Sequence, residues 1–129
     1  MKSRLLLTLL TLTVVVSGLF AQRIGAWEKL GERTVDRKVE RDEIRVSHKR
    51  TYSKLKFNVK GGEVRFDRAV VEFENGTRQE LQIRQTIPAG GETRVIDLRG
   101  NQRFIKRIVF HYKTTKGHKA KARVSVWGR

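Results

Sequence analysis

The sequence predicts an all-β fold: an antiparallel β-sandwich of jelly-roll-like type with about eight strands, set behind a cleavable leader. Three observations lead there. Apolar and polar residues alternate at period two along five segments, the pattern of strands with one buried face. Glycine-bearing turns at Gly61-Gly62, Asn75-Gly76, Gly90-Gly91, Gly100-Asn101 and Gly117 punctuate those segments at short, regular spacing. No stretch after residue 22 sustains an apolar stripe at helical spacing.

The first element is the leader. Met1-Lys2-Ser3-Arg4 carries two positive charges, Leu5 to Val16 is apolar apart from its threonines, and Ser17-Gly18-Leu19-Phe20-Ala21 supplies small residues near the end. That order is the signature of a secretory signal peptide. The apolar run is short of the roughly 20 residues a membrane span needs. The expected division is therefore a signal peptide over 1–21 and one domain over 22–129, exported to the periplasm or the extracellular space. Removing 21 of the 129 residues leaves 108, enough for one domain with its own core. The chain has no cysteine, which excludes disulfides, thiolate metal sites and lipid attachment through cysteine.

The strands follow in order. Leu55, Phe57 and Val59 alternate with Lys54, Lys56, Asn58 and Lys60; Val64 and Phe66 alternate with Glu63, Arg65 and Asp67. Ala69, Val71 and Phe73 have the opposite parity to Val64 and Phe66, so a bulge or corner is expected at Asp67-Arg68. A three-residue loop, Glu74-Asn75-Gly76, pairs Phe73 with Thr77, Val71 with Gln79 and Ala69 with Leu81, and puts Glu72 opposite Arg78 on the outer face. A two-residue loop would mix apolar and charged residues on one face. Leu81 and Ile83 continue the next strand. Phe104, Ile108, Phe110 and Tyr112 share one parity, with Lys106 among them, and Ala120, Ala122, Val124 and Val126 form the last strand. Asp36 to Glu43 is charged enough for a short helix but has only Val39 to bury.

The segments "FNVKGGEVRF", "VVEFENGTRQEL", "IPAGGETRVIDLRG" and "RFIKRIVFHY" resemble, in this order, a family of small exported bacterial proteins of unknown function. The resemblance covers most of the domain. It implies a compact β-sandwich behind a signal peptide and brings no catalytic residues. The rhythm of "IDLRG…FIKRIVFHY" is also similar to secreted jelly-roll binding modules of the galactose-binding-like type, by strand texture alone.

Charge narrows the partners. The net charge of +16 falls to +14 once Lys2 and Arg4 leave with the leader, which takes no acid. In the cytosol such a balance would point to nucleic acid. Behind a leader, nucleic acid is disfavoured, and the expected partners are an anionic envelope polymer, lipid head groups or an acidic protein. The alternative is a structural or protein-interaction domain whose charge serves solubility alone. From Leu98 to Arg129 ten basic residues stand without one acid, and Lys113, Lys116, Lys119, Lys121 and Arg123 crowd one hairpin. These five are the candidate anion-binding residues, weighed against lysines that merely guard a sheet edge.

No enzyme is expected. Asp36, Asp42, Glu43, Glu72, Glu74 and Asp97 could supply the carboxylate pair of a carbohydrate-active enzyme, but nothing singles out two of them, and Glu72 and Glu74 read as partners of arginines. Ser47, Ser53 and Ser125 lie in no nucleophile motif. His48, His111 and His118 have no ligand spacing, so neither a metal nor another cofactor is expected. Tyr52, His111, Tyr112 and Trp127 are the rings that could stack on bases; core packing is the expected role of most, of Phe104 and Phe110, and of Trp27 at the start of the domain.

Overall fold

The computed structural model describes residues 26–35, 40–47, 50–114 and 121–129. The proposed leader lies outside them, as do Asp36, His48, Lys116, His118 and Lys119. Ten strands and no helix occupy the described residues: β1 (Glu28–Thr34), β2 (Arg41–Arg45), β3 (Thr51–Tyr52), β4 (Lys54–Lys60), β5 (Val64–Phe73), β6 (Arg78–Leu81), β7 (Thr86–Ile87), β8 (Ile96–Asp97), β9 (Arg103–Thr114) and β10 (Arg123–Gly128). They build two antiparallel sheets. The first runs β1-β10-β4-β8; the second runs β2-β9-β5-β6, with the two-residue β3 on β9 and β7 on β5. Setting β3 and β7 aside leaves eight strands, four per sheet, and the chain passes repeatedly from one sheet to the other. This is the predicted sandwich, with jelly-roll strand order.

The alternating residues close one core between the sheets. Leu55, Phe57 and Val59 of β4 and Val124 and Val126 of β10 face Phe66, Ala69, Val71 and Phe73 of β5 and Ile108, Phe110 and Tyr112 of β9, all at most 2 % exposed. Phe57 meets Phe66 edge-on at 5.5 Å and Phe110 at 6.1 Å, so one ring from the first sheet sits against two from the second. Such edge contacts suit the positive rim and negative face of aromatic rings.

The hairpin between β5 and β6 has the register the side-chain parity requires: Ala69 pairs with Leu81, Val71 with Gln79 and Glu72 with Arg78. The Phe73 amide donates to the Thr77 carbonyl, and Gly76 takes φ +86°, the left-handed conformation of a bulged three-residue loop. The parity change along β5 is a bulge, because Phe66 pairs with Tyr112 and Arg68 with His111, leaving Asp67 over.

Three expectations are corrected. Phe104 does not share the core parity of Ile108; it is 49 % exposed, and Ile105 is buried instead. A second bulge explains this: Glu72 pairs with Arg107 and Phe73 with Ile105, so Lys106 is the extra residue and every side chain before it changes face. Trp127 is half-buried on the outer face of the first sheet, where its indole N–H donates to Ser125 Oγ at 3.1 Å. Trp27 is also only half-buried, with Lys56 and Arg129 over its ring. The segment Asp36 to Glu43, weighed as a short helix with little to bury, is strand from Arg41 onward in its described part, and Ile44 just after it is buried.

The sheets are also tied by polar side chains. Gln79, buried on β6, donates from Nε2 to the Asp97 carbonyl at 3.1 Å and accepts the Arg99 amide at 2.8 Å. Arg103 lies over Phe73 at 3.6 Å and donates to the Arg99 carbonyl and to Thr77 Oγ1, joining the turn after β8 to the β5–β6 hairpin.

Candidate functional site

The described members of the predicted anion-binding set do not lie together. Lys113 is exposed near the end of β9, paired with Arg65 on the outer face of the second sheet. Arg123 is exposed on β10, paired with Lys60 and Thr34 on the outer face of the first sheet. Lys121 is exposed just before β10. The sandwich core therefore separates Lys113 from Arg123. Lys116 and Lys119 lie outside the described residues.

Among the described residues, strand pairing gathers cations that the sequence did not reveal as a group. They cover the outer face of the second sheet, and strand register arranges them in rows. Across the strands, Arg41 of β2, His111 of β9 and Arg68 of β5 form one row. Glu43, Val109, Val70 and Glu80 form the next. Arg45, Arg107, Glu72 and Arg78 form the third. Two short valines thus sit between rows of long, charged side chains, which leaves a hollow of about 380 Å³ over Val70 and Val109.

The carboxylates on this face are shared among several cations. Arg107 Nε donates to Glu72 Oε2 at 2.6 Å, while Arg78 and Lys106 each stand 4.0 Å from the same carboxylate. Glu43 faces Arg45 at 3.1 Å, Arg107 at 3.6 Å and Arg41 at 3.8 Å. Five cations therefore share two carboxylates. The hydrogen bond from Arg107, reinforced by the charges of Arg107, Arg78 and Lys106, holds the Glu72 carboxyl below its ordinary 4.5 against a smaller opposing effect of desolvation. Glu72 in turn raises the already high pKa of Arg107. Arg68–Glu80 at 3.4 Å and Arg65–Asp67 at 3.5 Å complete the ion pairs along β5. Counting Arg41, Arg45, Arg65, Arg68, Arg78, Lys106, Arg107 and Lys113 against Glu43, Asp67, Glu72 and Glu80, the face holds eight fixed cations to four carboxylates.

The carboxylates considered for catalysis are spread out. Asp42 points inward and accepts the Tyr112 hydroxyl at 2.7 Å; Asp97 is exposed and bound by Lys54 at 2.6 Å, which with its charge holds its carboxyl below 3.8. Glu43 and Glu72 are held by arginines, and Glu74 lies in the hairpin turn. Among the described residues, no three His, Cys, Asp or Glu side chains are grouped to hold a metal ion, and no helix is long and apolar enough to cross a membrane.

A family model described as "Domain of unknown function (DUF2541)" matches residues 5–128. The chain belongs to that family. No curated protein matches it. Among solved structures, AlgX of Pseudomonas aeruginosa is similar at 16 % identity and a TM-score of 0.50, over 79 % of this chain and 26 % of that one. The chain thus spans about a quarter of the length of AlgX, and the likeness concerns the fold alone.

Within this DUF2541 domain, β9 carries the sequence signal that was visible, an acid-free basic segment. The arginines of β2, β5 and β6 were not singled out because they lie far from β9 in the sequence. Strand pairing brings them, and the carboxylates that partly neutralise β9, onto one surface.

Proposed function

We propose that the domain is an exported, non-enzymatic binding module that uses the outer face of its second sheet to hold an anionic component of the cell envelope. The supporting observation is the sharing of Glu43 and Glu72 among five cations, which leaves guanidinium N–H groups with too few internal acceptors. Such a surface attracts polyanions, and salt weakens the attraction. The test is retention on anionic lipid vesicles, lipopolysaccharide and a carboxylated cell-wall polymer across a salt series. Retention that falls with salt and is lost in an Arg68→Glu/Arg78→Glu double variant is expected. Both side chains are more than half exposed, so the variant should fold. Equal retention of the double variant, or none by the parent on all three materials, rejects the proposal.

A second reading rests on the same ion pairs. Arg41, Arg45, Arg65, Arg68, Arg78 and Arg107 each have a carboxylate within 4.0 Å, as in a self-neutralised surface that keeps a structural or protein-interaction domain soluble. Under that reading the double variant alters solubility and leaves localisation and function unchanged.

A further inference from the structure

One row of the second sheet is made of donors alone, and we propose that Arg41, His111 and Arg68 together hold an oxyanion, phosphoryl or carboxylate, whose binding tightens when His111 takes up a proton. This rests on the binding reading above and adds the residues that contact the anion and a control by pH. The row crosses three strands without a carboxylate: Arg41 on β2 pairs with His111 on β9, and His111 with Arg68 on β5. Side chains paired in this way leave the sheet about 5 Å apart, so two long arginines flank one imidazole within their reach. All three line the hollow over Val70 and Val109.

An arginine carries N–H donors and no acceptor, and a protonated imidazole donates from both nitrogens. The carboxylates of the next row satisfy these donors poorly. Glu43 stands 3.8 Å from Arg41 while it also faces Arg45 and Arg107, and Glu80 stands 3.4 Å from Arg68. Both separations exceed the roughly 3.2 Å reach of an ordinary N–H···O bond. The His111 side chain is half-buried and makes no hydrogen bond or ion pair among the described residues. An oxyanion in the hollow would supply the acceptor that the row lacks, and phosphoryl and carboxylate groups share that capacity.

The charges around the imidazole set the response to acid. β2 brings Arg41 and Glu43, β5 brings Arg68 and Glu72, and β6 brings Arg78 and Glu80. On β9 itself Arg107 and Val109 precede His111, and Lys113 follows it with Arg65 of β5 alongside. Four of these arginines and two of the glutamates line the hollow, an excess of two positive charges to which a proton on His111 adds a third. Histidine is the side-chain type whose ordinary titration falls between about pH 5 and 8, so the third charge is gained and lost in that range. Linkage makes the effect mutual: the proton favours the anion and the anion favours the proton by the same factor.

Sulfate, whose own charge is constant over this range, is the first probe. The imidazole resonances of the full chain, assigned through His111→Gln, are followed by NMR from about pH 8 to 5 in sulfate and in chloride of equal ionic strength. Sulfate should move the His111 midpoint upward and should bind about threefold to tenfold more tightly at the acid end, as one additional charged hydrogen bond allows. The affinity of His111→Gln should not vary with pH, and His111→Lys, charged throughout, should bind at the alkaline end as the parent does at the acid end. Phosphatidylglycerol vesicles and oligogalacturonate then separate the sources of the oxyanion. Acid-strengthened retention on the vesicles alone assigns it to a phosphate headgroup, and on the oligogalacturonate alone to a carboxylated polymer. An unmoved His111 midpoint, or a pH dependence that survives in His111→Gln, overturns the proposal while salt-sensitive retention keeps the broader reading. No salt-sensitive binding to these probes or to the envelope materials above rejects both.

Discussion

Replacing Gln79 by alanine removes the two hydrogen bonds that join β6 of the second sheet to the segment after β8 of the first. The side chain is 7 % exposed, and its partners are the main-chain carbonyl of Asp97 and amide of Arg99. Each bond contributes about 1 kcal/mol net, and leaving partly buried main-chain groups without an acceptor or donor adds to that, so the loss is about 2–3 kcal/mol. For a domain of roughly 100 residues this lowers Tm by about 10–20 °C. Thermal unfolding followed by circular dichroism at neutral pH reads the shift, and urea unfolding should give a lower midpoint with an unchanged slope. A Gln79→Glu variant refines the test. At neutral pH its buried carboxylate would face the Asp97 carbonyl, and the variant should regain stability as acid protonates it and restores a donor. A Tm within about 3 °C of the parent for Gln79→Ala, well below the smallest expected shift, would mean that the two sheets do not depend on this side chain.

Three further outcomes are expected. Ile105→Ala should cost about 2–5 kcal/mol while Phe104→Ser stays within about 0.5 kcal/mol, since only the first empties a core position; comparable losses in denaturant unfolding would contradict the bulge at Lys106. Gly61→Ala should destabilise strongly, because Gly61 has φ +79° and an added Cβ would stand 2.7 Å from the Lys121 carbonyl oxygen; unchanged thermal melting would refute this account of the turn. Glu72 has a folded-state pKa below its ordinary 4.5, so its contribution to stability is present above that value and lost as pH falls through the lowered one. The stability gap between the parent and Glu72→Gln should therefore narrow in melts below pH 4.5, and a gap constant with pH would show that Glu72 carries no such linkage.

Much of the fold was legible where residues close in sequence determine each other. Side-chain parity around Asn75-Gly76 chose the loop length and all the hairpin pairs, because a one-residue slip would have turned Val71 and Phe73 to water. The same reasoning located the bulge at Asp67. It failed at Phe104, where a lysine within an apolar parity was counted as an exception when it marked a register change; Ile105 beside it was the available clue. The outer strands β1 and β2 carry few apolar residues, chiefly Leu30 and Ile44, so they give almost no periodic signal. The basic face was half legible. The cations of β9 stand in one run, but Glu43 and Glu72 reach them from strands many residues earlier, and no local pattern records that meeting.

The position of β10 bears on when this chain can fold. It lies between β1 and β4, bonded to both, and contributes Val124 and Val126 to the core. Without it the first sheet is split into β1 alone and β4 with the two-residue β8, each exposing the edge and apolar face that β10 would cover. A growing polypeptide therefore lacks the centre of the first sheet until β10 is available, and the sandwich cannot close progressively from β1 onward. Closing it also requires pairings between residues far apart in sequence, which slows folding. Synthesis thus leaves an interval in which β1 to β9 are made and the first sheet is still open, the state that a narrow passage or a chaperone would encounter.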